Sequence, residues 1–199
     1  LDKQNVAQAL SVVPGVVLKQ SGSRIEDQVK VRGFDSRQVP VYFDGVPIYV
    51  PYDGNLDLAR ILTNNLGAVE VSNGYSSLLQ GPNQMGGAIN ITTQKPTKPL
   101  EASLGYRQGW SRSQDNAYDM HASIAASSEL GYLQVSGSQL KQDFLGLPHG
   151  VNNDIAGKHG KMINSSADDK RGIVKLGFTP RENDDYTLTY IKQDGDKDN

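Results

Sequence analysis

The chain has 199 residues, with 20 basic and 22 acidic side chains and a formal net charge of -2. That balance, without a basic run, removes the attraction a general nucleic-acid binder relies on, so no nucleic-acid partner is expected. The absence of cysteine excludes disulfide frameworks, thiolate zinc sites and cysteine nucleophiles. No apolar run of roughly 18 residues is present to form a transmembrane helix, a test that tilted spanning strands escape.

The chain opens at Leu1 without a basic n-region or an apolar h-region, so any signal peptide is expected outside this stretch. Asp2 is the expected N-cap of a short amphipathic helix over NVAQALSVV, which Pro14-Gly15 terminates. Short β-branched runs follow at Val16–Leu18, Val29–Val31 and Val39–Phe43. Asp44-Gly45 joins the last of these to Val46–Tyr49, a strong tight-turn signal between apolar runs. A brief helical turn is expected around Leu56–Leu62, with further strands at Ala68–Ser72 and Ala88–Thr93. Residues 1–97 therefore read as a small α+β domain, closed by the linker KPTKP at Lys95–Pro99.

After Pro99 the pattern becomes nearly pure period two. Leu100, Ala102, Leu104, Tyr106 and Trp110 share one face of a first strand, with Glu101, Ser103, Gly105, Arg107 and Gly109 on the other. A second strand sets Tyr118, Met120, Ala122, Ile124 and Ala126 against Asp119, His121, Ser123 and Ala125. The third, Gly131–Lys141, alternates less clearly, with Leu133 and Val135 opposed to Gln134, Ser136 and Ser138. A fourth sets Val174, Leu176 and Phe178 against Arg171 and Lys175, and a fifth sets Tyr186, Leu188 and Tyr190 against Thr187 and Thr189. Each run is about 9–11 residues, the length a tilted strand needs to cross a bilayer core. Tight turns are expected at Ser127–Leu130 and Pro180–Asp185, a shorter loop at Ser111–Asn116 and a long polar loop at Asp143–Lys170. Trp110 and Tyr118 beside one loop, with Phe178 and Tyr186 at the opposite turn, suit two interfacial girdles. A soluble antiparallel sheet with one face on a core, in a binding or adhesion module that pairs with another chain, has the same periodicity, which alone does not choose between the two. Five strands do not close a barrel, so either reading needs further strands or a partner.

The first half resembles the plug domain of TonB-dependent outer-membrane receptors. The resemblance is carried by NVAQALSVVPGV, by VKVRGF at Val29–Phe34, by VYFDGVPI at Val41–Ile48, and by GAVEVSNGYSSLLQGPNQMGGAINITTQKP from Gly67 to Pro96. The four blocks stand in the family's order and spacing. Ala68-Val69-Glu70-Val71 stands where the family commonly has Arg-Ile-Glu-Val, and Gln80 where Tyr usually precedes Gly81. Physical roles can be given beside the resemblance. Gly33 and Gly45 sit at reversals that call for positive φ, while Gly74, Gly81, Gly86 and Gly87 let backbone approach backbone. The amide of Asn90 is expected to tie a neighbouring loop to its strand.

The resemblance implies an α+β plug domain over 1–97, followed over 98–199 by about five antiparallel strands of an incomplete transmembrane β-barrel. It implies a monomer of the bacterial outer membrane, surrounded by lipid and driven by the TonB complex through a motif outside this stretch. The expected activity is active uptake of a ferric siderophore or similar scarce metal chelate, with haem, cobalamin, a metal ion or a glycan as alternatives. By position, the apical loops that meet substrate are 20–24, 34–38 and 49–53, and the expected contacts are Gln20, Ser21, Ser23, Arg24, Phe34, Asp35, Ser36, Arg37, Tyr49, Tyr52 and Asp53. Arg24 and Arg37 suit anionic groups, and Phe34, Tyr49 and Tyr52 suit flat or apolar ones. The loop from Lys141 to Lys170 is expected outside the cell.

Neither an enzyme nor a resident cofactor is expected. His121, His149 and His159 are dispersed, HExxH, GxSxG and phosphate-loop motifs are missing, and GPNQMGG lacks the Lys-Ser/Thr that would hold phosphate and metal. His149, His159 and Met162 share one loop, where capture of a soft metal competes with an ordinary polar surface, and no metal site is assigned.

Overall fold

The structure, a computed structural model, describes residues 3–21, 26–48, 56–74, 84–111, 114–147, 157–158, 161–162, 164–181 and 184–197. Two compact units emerge, Leu1–Gln94 and Lys95–Asn199.

In the first unit the helix α1 spans only Val6–Leu10. Its N-cap is Asn5, whose side chain accepts from the Gln8 amide at 2.9 Å, while Gln8 Oε1 accepts from the Gln4 amide at 3.0 Å. The expected cap Asp2 lies outside the described residues. Asn5 takes the role because the apolar face Val6, Ala7 and Leu10, which packs in the core with Leu58 and Leu62, begins immediately after it. The hairpin β1 (Val16–Ser21) and β2 (Glu26–Val31) follows, in register Val16↔Val31. A four-stranded sheet is built from β3 (Val41–Phe43), β4 (Val46–Pro47), β5 (Leu66–Asn73) and β6 (Gly87–Thr93) in the order β4-β3-β6-β5. Strands β3 and β6 are parallel, and the other pairs are antiparallel. The helical turn expected near Leu56–Leu62 is a short 3-10 turn at Leu58–Arg60. Its cap Asp57 also accepts from the Asp27 amide, joining that turn to β2.

Two tight turns set the course of the chain. Arg32 and Gly33 have φ of 50° and 88°, and Val31 and Phe34 exchange both backbone hydrogen bonds across them. Asp44 and Gly45, with φ of 49° and 81°, make the β3–β4 turn. Both central residues being left-handed is the pattern whose twist suits a two-residue hairpin.

The second unit is a five-stranded antiparallel sheet in the order β13-β12-β9-β8-β7. Its strands are β7 (Leu100–Ser111), β8 (Gln114–Ser128), β9 (Gly131–Gln142), β12 (Ala167–Arg181) and β13 (Asp184–Lys197). A small hairpin of β10 (Gly157–Lys158) and β11 (Lys161–Met162) lies in the long connection. The strands, of 12 to 15 residues, are longer than the expected spans. The loop expected at Ser111–Asn116 is largely absorbed, since Ser111 pairs with Gln114 and Trp110 with Asp115. The long loop likewise ends before Ala167, not at Lys170. Side-chain polarity ended the apolar pattern at these points, but ladder bonds are made by the backbone and run past it. Glu101 accepts from the Thr97 and Lys98 amides and fixes the linker to the start of β7, while Lys95 reaches Asp185 at the start of β13.

Burial in this sheet is inverted relative to a soluble protein. Leu100, Leu104, Met120, Ile124, Leu133, Val135, Val174, Leu176, Phe178 and Leu188 are exposed, Leu104 at 86%. The opposite face carries Asp119, Gln134, Ser136, Asp169, Arg171 and Lys175, all buried, with Asp119 and Lys175 at 2%. The register places these groups consistently. Ala102, Ile124, Val135, Val174 and Tyr190 form one rung across all five strands, and Leu100, Ala126, Leu133, Leu176 and Leu188 form the next rung on the same face. Aromatic pairs mark both ends. Tyr106 stacks on Tyr118 and Phe178 lies against Tyr186, each with centroids 6.5 Å apart. The ladder separates these pairs by about ten residues, roughly 33 Å of strand or about 25 Å after a barrel tilt, close to the height of an outer-membrane apolar belt.

Candidate functional site

Of the three loops of the expected ligand floor, 34–38 is the one described throughout. It leaves the Val31–Phe34 turn and enters β3 through buried Val39 and Pro40. Asp35 organises it. Its carboxylate accepts from the Arg37 amide at 3.0 Å, from Arg37 Nε at 3.4 Å and from Arg37 Nη2 at 2.8 Å, while its carbonyl accepts from the Gln38 amide at 2.9 Å. The side-chain bond from Arg37 outweighs the opposing effect of desolvation and holds the Asp35 carboxyl below its usual range. Arg37 remains 70% exposed, so its guanidinium is aimed by Asp35 and still open to solvent.

Phe34 has a structural task that its sequence context did not show. A Cβ added to Gly86 would lie 2.4 Å from Phe34 Cβ and 2.8 Å from both Phe34 Cγ and Val39 Cγ2. Gly86 is therefore the seat of the Phe34 side chain, and the Gly86 amide donates to the Gln38 carbonyl at 3.0 Å. Nearby, Gln84 Nε2 donates to the buried Tyr42 hydroxyl at 3.2 Å. The Gly86-Gly87 pair was the available signal, because two adjacent glycines before a strand mark a close approach.

Of the expected contacts, the structure brings Phe34, Asp35, Ser36 and Arg37 together. Gln20 and Ser21 close β1, where they pair with Asp27 and Glu26. Ser23, Arg24, Tyr49, Tyr52 and Asp53 lie outside the described residues, as do His149 and His159. Met162 is half-buried on β11, its amide donating to the Leu145 carbonyl at 2.8 Å. Among the described residues, no group of three or more His, Asp or Glu is placed to hold a metal ion. Asn90 does not reach a loop. Its Nδ2 lies 3.5 Å from Thr92 Oγ1 on its own strand, and the tie to a loop is made instead by Asp44, which sequence reasoning used only as a turn residue.

A second polar surface is the buried face of the five-stranded sheet. Arg107 Nη1 lies 3.3 Å from Asp119 Oδ2 across β7 and β8, and the next rung sets Gly105, His121, Ser138, Arg171 and Gln193 side by side. Hydroxyl, amide and charged groups of both signs share this face with Ala125, Leu140 and Ile173.

An α+β unit carrying a fixed surface turn is followed in the chain by a sheet that buries its charges and exposes its leucines. Comparison with known proteins makes this specific. Residues 1–88 match the family described as TonB-dependent Receptor Plug Domain. The pesticin receptor of Yersinia enterocolitica is 30% identical over 137 residues, which is 66% of this chain and 19% of that protein. Among solved structures, the FrpB iron transporter of Neisseria meningitidis superposes with a TM-score of 0.77 at 17% identity, over 97% of this chain and 29% of its own. The copper transporter OprC gives 0.73 at 21% identity, over 100% and 29%. The chain thus spans less than a third of the proteins it matches. Residues 1–88 therefore carry the TonB-dependent receptor plug domain, and the strands after it have the fold of the first barrel strands in such outer-membrane transporters, with the barrel incomplete in this stretch.

Proposed function

We propose that the receptor to which this stretch belongs takes up a metal chelate, a ferric siderophore above the alternatives, with energy supplied through the TonB complex. On this reading the plug gates the pore and its surface turns recognise the ligand. The observation that carries the reading is the inverted sheet, in which exposed leucines oppose buried Asp119, Arg171 and Lys175. Such a surface is stable against lipid on one side and a polar lumen on the other, which a transport conduit needs and a soluble binding module does not.

Metal uptake is supported by the company the fold keeps, since FrpB is an iron transporter and OprC a copper transporter. Arg37, aimed by Asp35 and open to solvent, suits the anionic character common to such chelates. Arg24, Tyr49 and Tyr52 join the proposed floor by position. The test is uptake of radiolabelled iron, presented as ferric citrate and as ferric hydroxamate and phenolate siderophores, by iron-limited cells with and without the gene. Loss of uptake of at least one chelate is expected. Full retention of all of them, with unchanged copper accumulation, would sink the reading.

A further inference from the structure

On the exposed apolar face of the five-stranded sheet, three rungs lie between the rung of Phe178 and the rung of Tyr106. Besides the rungs of Leu176 and Ile124, the third is formed by Leu104, Ala122, Gly137, Gly172 and Lys192. Lys192 is the sole charged residue in all three, the rest being Gly, Ala, Val, Leu, Ile and Tyr. The same rung carries a notch. Ala122, Gly137 and Gly172 stand side by side on β8, β9 and β12, and a Cβ built on either glycine would meet nothing within 4 Å. A cavity of about 650 Å³ opens here, with Leu104 and Met120 as apolar walls and Gln139, Lys170, Lys192 and Asp194 on its polar side. Lys170 shares the rung of Tyr106 and lies 3.6 Å from Asp168 Oδ2, whereas Lys192 makes no ion pair among the described residues.

A lysine inside an apolar belt is costly unless its ammonium reaches the interface or an anion comes to meet it. We propose that the notch holds a phosphate-bearing lipid, with one acyl chain on Ala122, Gly137 and Gly172 against Leu104 and Met120, and the phosphate between the ammonium groups of Lys170 and Lys192. Depth and charge agree on this occupant. The stacked pair Tyr106 and Tyr118 marks the interfacial level at this end of the strands. The apolar floor lies one rung inside that level, about 7 Å of strand, where acyl chains run. Lys170 stands at the level itself and Lys192 just inside it, within reach of a headgroup phosphate. The proposal rests on the membrane reading of this face.

The test is native mass spectrometry of the full-length receptor in detergent, titrated with dioleoyl phosphatidylglycerol, with zwitterionic dioleoyl phosphatidylcholine and with free glycerol phosphate. The tightest-held phosphatidylglycerol should bind about tenfold more strongly than phosphatidylcholine, and glycerol phosphate should not be retained. The double variant Lys170→Gln with Lys192→Gln should lose that preference. Gly137→Leu, whose side chain enters open space, should weaken retention of both lipids about fivefold by filling the notch. Equal retention of the two lipids by wild type, or a preference that survives the double lysine variant, overturns the headgroup site. Wild-type retention of both lipids by Gly137→Leu overturns the notch. Glycerol phosphate held as tightly as phosphatidylglycerol makes this a free-anion site and overturns the lipid. A full-length receptor that stays in solution without detergent and retains no lipid refutes the membrane reading itself, an outcome distinct from a detergent-bound receptor that does not discriminate between the lipids.

Discussion

Asp44 and Thr93 hold the two ends of the plug sheet's central pair together. Asp44 sits in the left-handed region at the β3–β4 turn, with φ of 49°. Its Oδ1 accepts from the Thr93 amide at 2.8 Å and its Oδ2 from the Thr93 hydroxyl at 2.7 Å. The Asp44 amide donates in turn to the Ile91 carbonyl at 2.8 Å, so the turn is fastened to the last residues of β6 by three bonds. Replacing Asp44 by Ala removes both of its bonds to Thr93 and places a residue less tolerant of positive φ in the turn. A loss of about 2–4 kcal/mol is expected, with faster hydrogen exchange at the Thr93 amide in the full-length receptor. Asp44→Asn, which tolerates the backbone and keeps one acceptor, should lose about half as much.

The outward face of the sheet gives a second expectation. Leu176 is half-exposed in the same rung as Leu100 and Leu188. Against lipid, Leu176→Arg should cost about 2–4 kcal/mol, measured by equilibrium folding of the full-length receptor into lipid vesicles. A substitution without measurable effect there would return this face to contact with water or protein.

The Asp35–Arg37 pair makes a prediction with a defined sign. The folded carboxyl of Asp35 titrates below its ordinary value because Arg37 donates to the ionised form. Its contribution to loop order is therefore present above the unfolded carboxylate pKa of about 3.9 and is lost as pH falls through the lower folded value. Binding of an anionic chelate through Arg37 should accordingly be flat between about pH 7 and 5, as far as this pair is concerned. Arg37→Ala should weaken binding by about tenfold, and Asp35→Asn, which frees guanidinium donors, should strengthen it by a smaller factor. Titration calorimetry on the full-length receptor decides this, and equal affinities for wild type and both variants would take Arg37 out of the site.

Gly86 supplies the fourth test. A methyl group there would press into Phe34 and Val39. Gly86→Ala should cost about 1–3 kcal/mol through displacement of the Phe34 side chain, and should weaken ligand binding because the Asp35–Arg37 turn is attached to it. Pairing it with Phe34→Leu, which relieves the clash, should restore part of the stability in thermal unfolding. An additive double variant would show that the two residues do not share that contact.

Much of this architecture is legible in the amino-acid order. Period-two alternation from Leu100 to Tyr190 states which side chains share a face, because successive strand residues point to opposite sides whatever surrounds them. Asp44-Gly45 and Pro14-Gly15 state where the chain turns, because few residues adopt the φ values those turns need. The four plug motifs state the family. What alternation does not state is which face the fold covers and which it leaves exposed, since a strand alternates in the same way either way round. Only the packed sheet, with Leu104 exposed and Lys175 buried, decided that. Nor could order alone show that Phe34 is seated on Gly86, that Asp44 grips Thr93 across 49 positions, or that Ser165 pins Leu145 and Met162. Those contacts join residues far apart in sequence or set by side-chain direction, so they exist only once the backbone has folded and brought the atoms within bonding distance.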